Sequence, residues 1–173
     1  MIGVDFGKHA DHSAIAVLEK VKDDIRLVYL KEFPLETPYS AVIGTVRRLN
    51  EAYAFAGGYV DQTGVGEGPY EEIRRFTRRV QGVTLTAQVK EDIMGKLRLA
   101  MEEGRLTLPR DKPYLLVQIT SQRCEPTISG TLKFRHPTGT HDDCLWALAL
   151  SVYANNEIPM SRQLLPAKTR SFG

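Results

Sequence analysis

The sequence predicts an α/β fold: one mixed β-sheet covered by helices. Three observations carry that reading. The chain has 173 residues, which fits one domain of ordinary size and leaves little room for two. Hydrophobic residues make up 42% and charged residues 25%, the balance of a chain with a real core. The hydrophobic period is that of strands in the first third and then alternates between helix and strand.

The elements follow in order. Residues 2–6, 13–19 and 25–33 are apolar or alternating runs joined by short loops, the pattern of an antiparallel three-strand meander. Pro38 then opens a stretch in which Val42, Val46, Leu49 and Tyr53 recur at helical spacing. Gly57 and Gly58 stop this helix, and residues 59–61 read as a buried strand ending on an acid. A glycine-rich turn leads through Pro69 to a second helix with Tyr70, Ile73, Thr77 and Val80 on one face. Residues 82–86 are a further strand candidate, and residues 89–103 a third helix with Ile93, Leu97 and Met101 inward. Residues 115–122 fit either a strand or a helix. Residues 127–134, around Ser129 and Gly130, read as a hairpin. Thr140 caps a last helix over about 141–154, apolar almost all round and therefore buried. Residues 1–158 thus form the domain, and residues 159–173 are a loosely ordered tail without periodicity.

Composition excludes several classes. No apolar run approaches the roughly 20 residues that cross a bilayer, and the amino terminus lacks the layout of a secretory signal. Neither membrane association nor secretion is expected. Two cysteines, Cys124 and Cys144, are too few for a disulfide framework and suggest a reducing compartment. The net charge of +2 is compatible with a nucleic-acid partner without requiring one. No Walker A sequence occurs, which excludes nucleotide hydrolysis by a P-loop.

Four acids stand where ordinary packing would not put them. Asp5 ends an apolar strand, Asp61 ends another just before the glycine-rich turn, and Asp142 and Asp143 begin the most apolar helix. Carboxylates at the ends of adjacent parallel strands converge at one sheet edge, and a helix amino terminus brings others to meet them. Such a cluster repels itself unless a cation neutralises it. Oxygen ligands of this kind suit magnesium or manganese, and a pair of such ions is the usual device for in-line attack on a phosphodiester. Each acid also has a plainer reading. Asp5 and Asp61 could close turns, and Thr140-x-x-Asp143 could be a capping-box variant. The joint pattern favours a metal site.

Other chemistry-bearing residues are scattered. Cys124, His136, His141 and Cys144 are zinc-type ligands, but their spacing is not that of a standard finger. Basic residues cluster as Arg74, Arg75, Arg78 and Arg79, and again as Lys90, Lys96 and Arg98. A solvated helix face, paired with Glu71 and Glu72, accounts for most of the first group. Lys8 and His9, just behind Asp5, are better placed to touch a phosphate beside the metals.

Three segments, GVDFGKHADHSAIAVLE, YVDQTGVGEGPYEEI and GTHDDCLWALALSVYA, in this order and spacing, resemble the nuclease domain of the large terminase subunit of tailed viruses. The likeness covers residues 3–154. It implies an RNase H-like fold, with the mixed sheet flanked by helices on both faces. It also implies a divalent-metal-dependent endonuclease that cuts concatemeric double-stranded viral DNA during packaging, with low sequence specificity, in the cytoplasm of the infected cell. Asp5 and Asp61 match the family's strand-borne ligands, and Asp142 and Asp143 match the acids at the last helix. His141 matches a position beside the site, and Lys8, Lys90, Arg74 and Arg78 are candidate DNA contacts. The hairpin around Ser129 and Gly130 matches an element near the DNA path. The implied partners are an ATPase motor domain, a small terminase subunit and the portal. Because such a motor precedes the nuclease in large terminases and no motor sequence precedes residue 2, an excised domain is expected, with Met1 supplied as a start codon; a stand-alone viral gene is the alternative. The competing readings are a junction resolvase of similar fold and a non-catalytic module that binds DNA or a portal. A sugar-kinase-like phosphotransferase needs two such domains and does not fit the length.

Overall fold

The computed structural model describes residues 1–7, 11–127, 132–137 and 140–157. The amino-terminal runs form β1 (Ile2–Asp5), β2 (Ala14–Val21) and β3 (Asp24–Glu32), an antiparallel meander as the periodicity predicts. Helix α1 (Tyr39–Tyr53) follows, then β4 (Gly58–Asp61), a single 3-10 turn at Gly64–Gly66, α2 (Glu67–Phe76) and β5 (Val80–Val83). Helix α3 (Ala87–Glu102), the short β6 (Leu106–Thr107) and α4 (Pro113–Ser121) complete the middle of the chain. Strands β7 (Arg123–Pro126) and β8 (Leu132–Arg135) pair as a separate hairpin, and α5 (Asp143–Glu157) is the last helix.

The main sheet has the order β5-β4-β1-β2-β3-β6. Strands β1, β4 and β5 run parallel, β1 to β3 alternate, and β6 lies parallel to β3. Period-two alternation sorts the side chains of this mixed sheet onto two faces. On one face Ile2, Val4, Ile15, Val17, Val60 and Val80 meet Val42 and Val46 of α1 and Ile73 of α2. On the other, Ala14, Ala16 and Leu18 meet α5, with Ile93 and Leu97 of α3 and Leu115 of α4 closing the same core. Helices therefore cover both faces. Helix α5 is buried along nearly its whole length, which explains why its sequence lacks a polar stripe.

The close seating of α5 is written into β1. A Cβ on Gly3 would stand 2.0 Å from the Ala147 carbonyl oxygen and 2.6 Å from the Ser151 nitrogen, both backbone atoms that cannot rotate away. Only glycine lets the helix lie this near the strand.

Several expectations need correction. The second helix ends at Phe76, and Thr77 is extended, so Val80 belongs to β5, where it pairs with Gly58 instead of lying on a helical face. The ambiguous segment is the helix α4, started by Pro113 at a position where its missing N–H costs nothing. Helix α1 stops before the two glycines, at Ala54, which adopts a left-handed conformation (φ 47°). Met101 faces solvent. Thr140 does not cap α5: its hydroxyl donates to the Pro137 carbonyl, and the helix begins at Asp143. The hairpin's Ser129 and Gly130 and the tail 159–173 lie outside the described residues.

The Gly3→Ala substitution is expected to destabilise the domain by about 3 kcal/mol or more, because the new methyl group must displace backbone. Urea unfolding measures this, and an unchanged midpoint would contradict the seating of α5.

Candidate active site

Two parallel strands set the site. The β1–β4 register pairs Val4 with Val60, so the next residues, Asp5 and Asp61, stand side by side at the carboxyl ends of neighbouring strands. Val4 and Val60 point into the α1/α2 core. Alternation therefore turns Asp5 and Asp61 to the opposite face, the one that carries α5. The Asp61 carboxylate accepts a 2.7 Å hydrogen bond from the Thr63 N–H, so it closes a turn as well as facing the cleft. Gly66 permits that turn: a Cβ there would lie 1.9 Å from the Asp61 carbonyl oxygen.

The α5 end supplies two acids with different commitments. Asp142 precedes the helix, and its Oδ2 accepts hydrogen bonds from Trp146 Nε1 at 3.0 Å and Gln122 Nε2 at 3.1 Å. Asp143 opens the helix. Its side chain is 9% exposed, and its Oδ2 is buried without a hydrogen-bond partner. The nearby backbone N–H of His12 favours the charged form of its carboxylate, and His141 Nδ1 stands 3.9 Å from Oδ2. The His12 and His141 rings pack edge to face, with centroids 4.8 Å apart. Helix α4 braces this end. Gln118 accepts the Leu145 N–H at 3.0 Å, satisfying an amide that the first turn of a helix leaves free.

The electrostatics match this crowding. Burial raises the Asp5 carboxyl well above its ordinary range, and Asp61, Asp143 and Asp142 push it the same way, with Lys90 opposing. Burial raises Asp61 too, against the Thr63 hydrogen bonds and Lys90. Asp143 is raised to about 6, chiefly by burial, with Asp142 and Asp11 adding repulsion. All four acids line one cleft of about 320 Å³. Desolvated, mutually repelling carboxylates with a buried oxygen lacking a partner fit a hard divalent cation. Among the described residues no three histidine, cysteine or acidic side chains stand close enough together to hold a metal ion as they are, so the acids share a cleft and would have to draw closer around a cation.

The remaining candidates separate clearly. Lys90 and His141 line the cleft; Lys8 and His9 lie outside the described residues. Arg74 and Arg78 are exposed on or just beyond the last turn of α2 and do not line the cleft. The expected pairing of the arginine cluster with Glu71 and Glu72 is absent among the described residues, and Arg79 instead donates to the Phe55 carbonyl at 3.1 Å. Lys96 is bound to Asp92 and Glu157, and Arg98 to Glu102. The zinc reading fails as well. Cys124 is exposed, whereas Cys144 is buried with its thiol 3.5 Å from Glu32. Asp11, His12, Gln118 and Gln122 are functional candidates that the sequence did not single out.

A mixed sheet of this order, with acids from two parallel strand ends and the last helix meeting at one edge, defines an RNase H-like domain. The chain belongs to the terminase RNase H-like domain family, whose model matches residues 2–154. It is 33% identical over 156 residues to the large terminase subunit of Thermus virus P23-45, covering 87% of this chain and 30% of that protein. The chain therefore spans about a third of the length of that relative. Among solved structures it is similar to the large terminase nuclease of thermophilic phage G20c, with a TM-score of 0.76 and 29% identity over 88% of this chain and 80% of that one. The G20c nuclease with bound magnesium is similar too, with a TM-score of 0.73 and 30% identity over 88% and 79% of the two chains. That nuclease has also been solved with cobalt and with zinc.

The raised Asp143 carboxyl sets a pH dependence. Between its unfolded value near 3.8 and its folded value of about 6, the folded state holds more protons than the unfolded state. Stability without metal therefore falls as pH rises through this window, and the burial cost persists above it. Asp143→Asn removes that cost. The variant is expected to exceed the wild type by about 2 kcal/mol at neutral pH in chelator, and by little below pH of about 4. Urea unfolding at both pH values checks this. Equal stabilities at neutral pH would mean that Asp143 is not desolvated.

Proposed function

We propose that this domain is a divalent-cation-dependent endonuclease that cuts concatemeric double-stranded DNA when a viral genome is packaged. The observation that carries the reading is the meeting of Asp5 and Asp61 with the unpartnered Oδ2 of Asp143 in one cleft. Asp5, Asp61 and Asp143 are the residues that would hold the metal, magnesium or manganese, as two ions. Asp142 would be a fourth ligand through Oδ1, since Trp146 and Gln122 both bond its Oδ2 and fix the side chain's position. The magnesium, cobalt and zinc complexes of the G20c nuclease support a divalent cation here.

Bound cations would supply Lewis-acid polarisation of the phosphate and a water acidic enough to attack at neutral pH. The chain's own residues do the rest. The open cleft would admit a backbone phosphate, the part of DNA that carries no sequence information, so cleavage would have low sequence specificity. Hydrolysis joins the water oxygen to phosphorus, breaks one P–O ester bond and delivers a proton to the departing oxygen. His141, at the cleft beside Asp143, is placed to carry that proton. Within a packaging assembly the domain would work with an ATPase motor domain, a small terminase subunit and the portal, in the cytoplasm of the infected cell. Phosphate contacts would dominate DNA affinity, so binding falls steeply with salt.

Supercoiled plasmid incubated with the domain in magnesium, manganese or chelator tests the reading. Nicking and linearisation are expected with either metal and none in chelator. Asp5→Ala, Asp61→Ala and Asp143→Ala should each lower the rate by about 10²-fold or more. Folded protein that is inactive under every metal, or an Asp61→Ala variant as active as the wild type, would overturn it.

A further inference from the structure

Lys90 is the unexplained cation of the cleft. It lies about one turn into α3, close behind the Thr86 cap, where the positive end of the helix dipole disfavours a basic side chain. It is half-buried and makes no ion pair among the described residues, although the cleft it lines holds Asp5, Asp61 and Asp143. The next lysine of the same helix, Lys96, is by contrast bound to two carboxylates.

What seats Lys90 is an aromatic face. Its Nζ stands 5.1 Å from the centre of the Trp146 ring. The indole is itself fixed: Nε1–H donates to Asp142 Oδ2 at 3.0 Å, and Phe134 packs against the ring edge to face at 6.3 Å. Asp142 is held in turn by Gln122. This chain from Gln122 through Asp142 and Trp146 seats an ammonium in the cleft that the acids line without an ion pair to any of them among the described residues. A cation–π contact attracts the charge and leaves its N–H donors free for another acceptor.

We propose that Lys90 is a catalytic residue of this nuclease, its ammonium contacting a non-bridging oxygen of the phosphate undergoing hydrolysis, with Trp146 as its positioning residue. The proposal rests on the nuclease reading above. Lys90 lowers the protonation tendency of Asp5 and Asp61, so in the free domain it offsets part of the carboxylate charge. Cations take over that offset when they bind, and the Lys90 donors then face the incoming phosphate. Hydrolysis places additional negative charge on the non-bridging oxygens, which the fixed ammonium stabilises at the moment it forms. Lysine suits the task as a compact point charge with three donors.

The test compares Lys90→Met, Lys90→Arg and Trp146→Phe with the wild type. Binding of a short duplex is measured in calcium, as a substitute ion for binding without turnover, across a salt series. Single-turnover cleavage is measured in saturating magnesium, and magnesium affinity without DNA by calorimetry. For Lys90→Met the slope of log affinity against log salt is expected to fall by about 0.9, the loss of one phosphate contact. Its cleavage rate at saturating DNA should fall by about 10²-fold. Its magnesium affinity should be equal to or tighter than wild type, because a neighbouring positive charge has gone. Lys90→Arg should restore the slope, and Trp146→Phe should keep the slope and lose rate. An unchanged slope with wild-type cleavage in Lys90→Met would overturn the proposal and make Lys90 a counter-charge only. If the wild type binds DNA without cutting it, the nuclease reading fails while the slope still decides the contact. If Lys90→Met binds magnesium more weakly, Lys90 organises the metal site and the proposal fails.

Discussion

The distance between α5 and β1 is the dimension on which the cleft depends. Asp143 rides on the first turn of a helix whose backbone lies directly over Gly3, two residues before Asp5 on the same face of the strand. Were the helix held off by one methyl group, the carboxylate on its first turn would move away from the strand ends. The backbone contact also explains the buried sequence of α5. A helix wedged between a sheet and two other helices has no face left for water.

Placing several acids in a desolvated cleft is costly, and the surrounding structure shows how that cost is distributed. Asp142 has one oxygen held by two neutral donors, Asp61 is half-satisfied by its own turn, and Asp143 keeps a buried oxygen without a donor. The gradient runs from a residue that braces the site to one that waits for a ligand. Fold stability and chemistry pull in opposite directions here, as they do wherever charge is stored for later use. The braces come from α4 and from the loop before α5, so the rigid part of the site lies behind the acids and the open part before them.

Much of this was legible in the sequence. The meander, the β4 strand ending on Asp61, the helix α3 and the buried α5 all show in the period of apolar residues, because those segments have one clearly apolar face or none that is polar. The four acids were legible as a set for a related reason: each breaks an apolar pattern where a strand ends or a helix starts. What could not be read depends on contacts between distant segments. Nothing local marks Gln118 as the residue that receives the Leu145 N–H, or Trp146 as the partner of Asp142 and Lys90. Val80 looked helical because it continues the spacing of Ile73 and Thr77, yet pairing with β4 outweighs that weak local signal. The two residues of β6 are too few to show any period. Thr140 reads as a cap by type, and its hydroxyl is used by Pro137 instead.

The position of α5 in the chain also shapes how the domain is made. The helix packs on β1 and β2, so these two strands meet their cover only after everything between them and α5 has been synthesised. Until then Ala14, Ala16 and Leu18 present a bare apolar strip, and contacts of such long sequence separation close slowly. The same order means that a chain synthesised only as far as β8 cannot hold Asp5, Asp61 and Asp143 together. Assembly of the sheet's second face and assembly of the acid cleft are a single late event, and a nascent chain halted before Cys144 has neither.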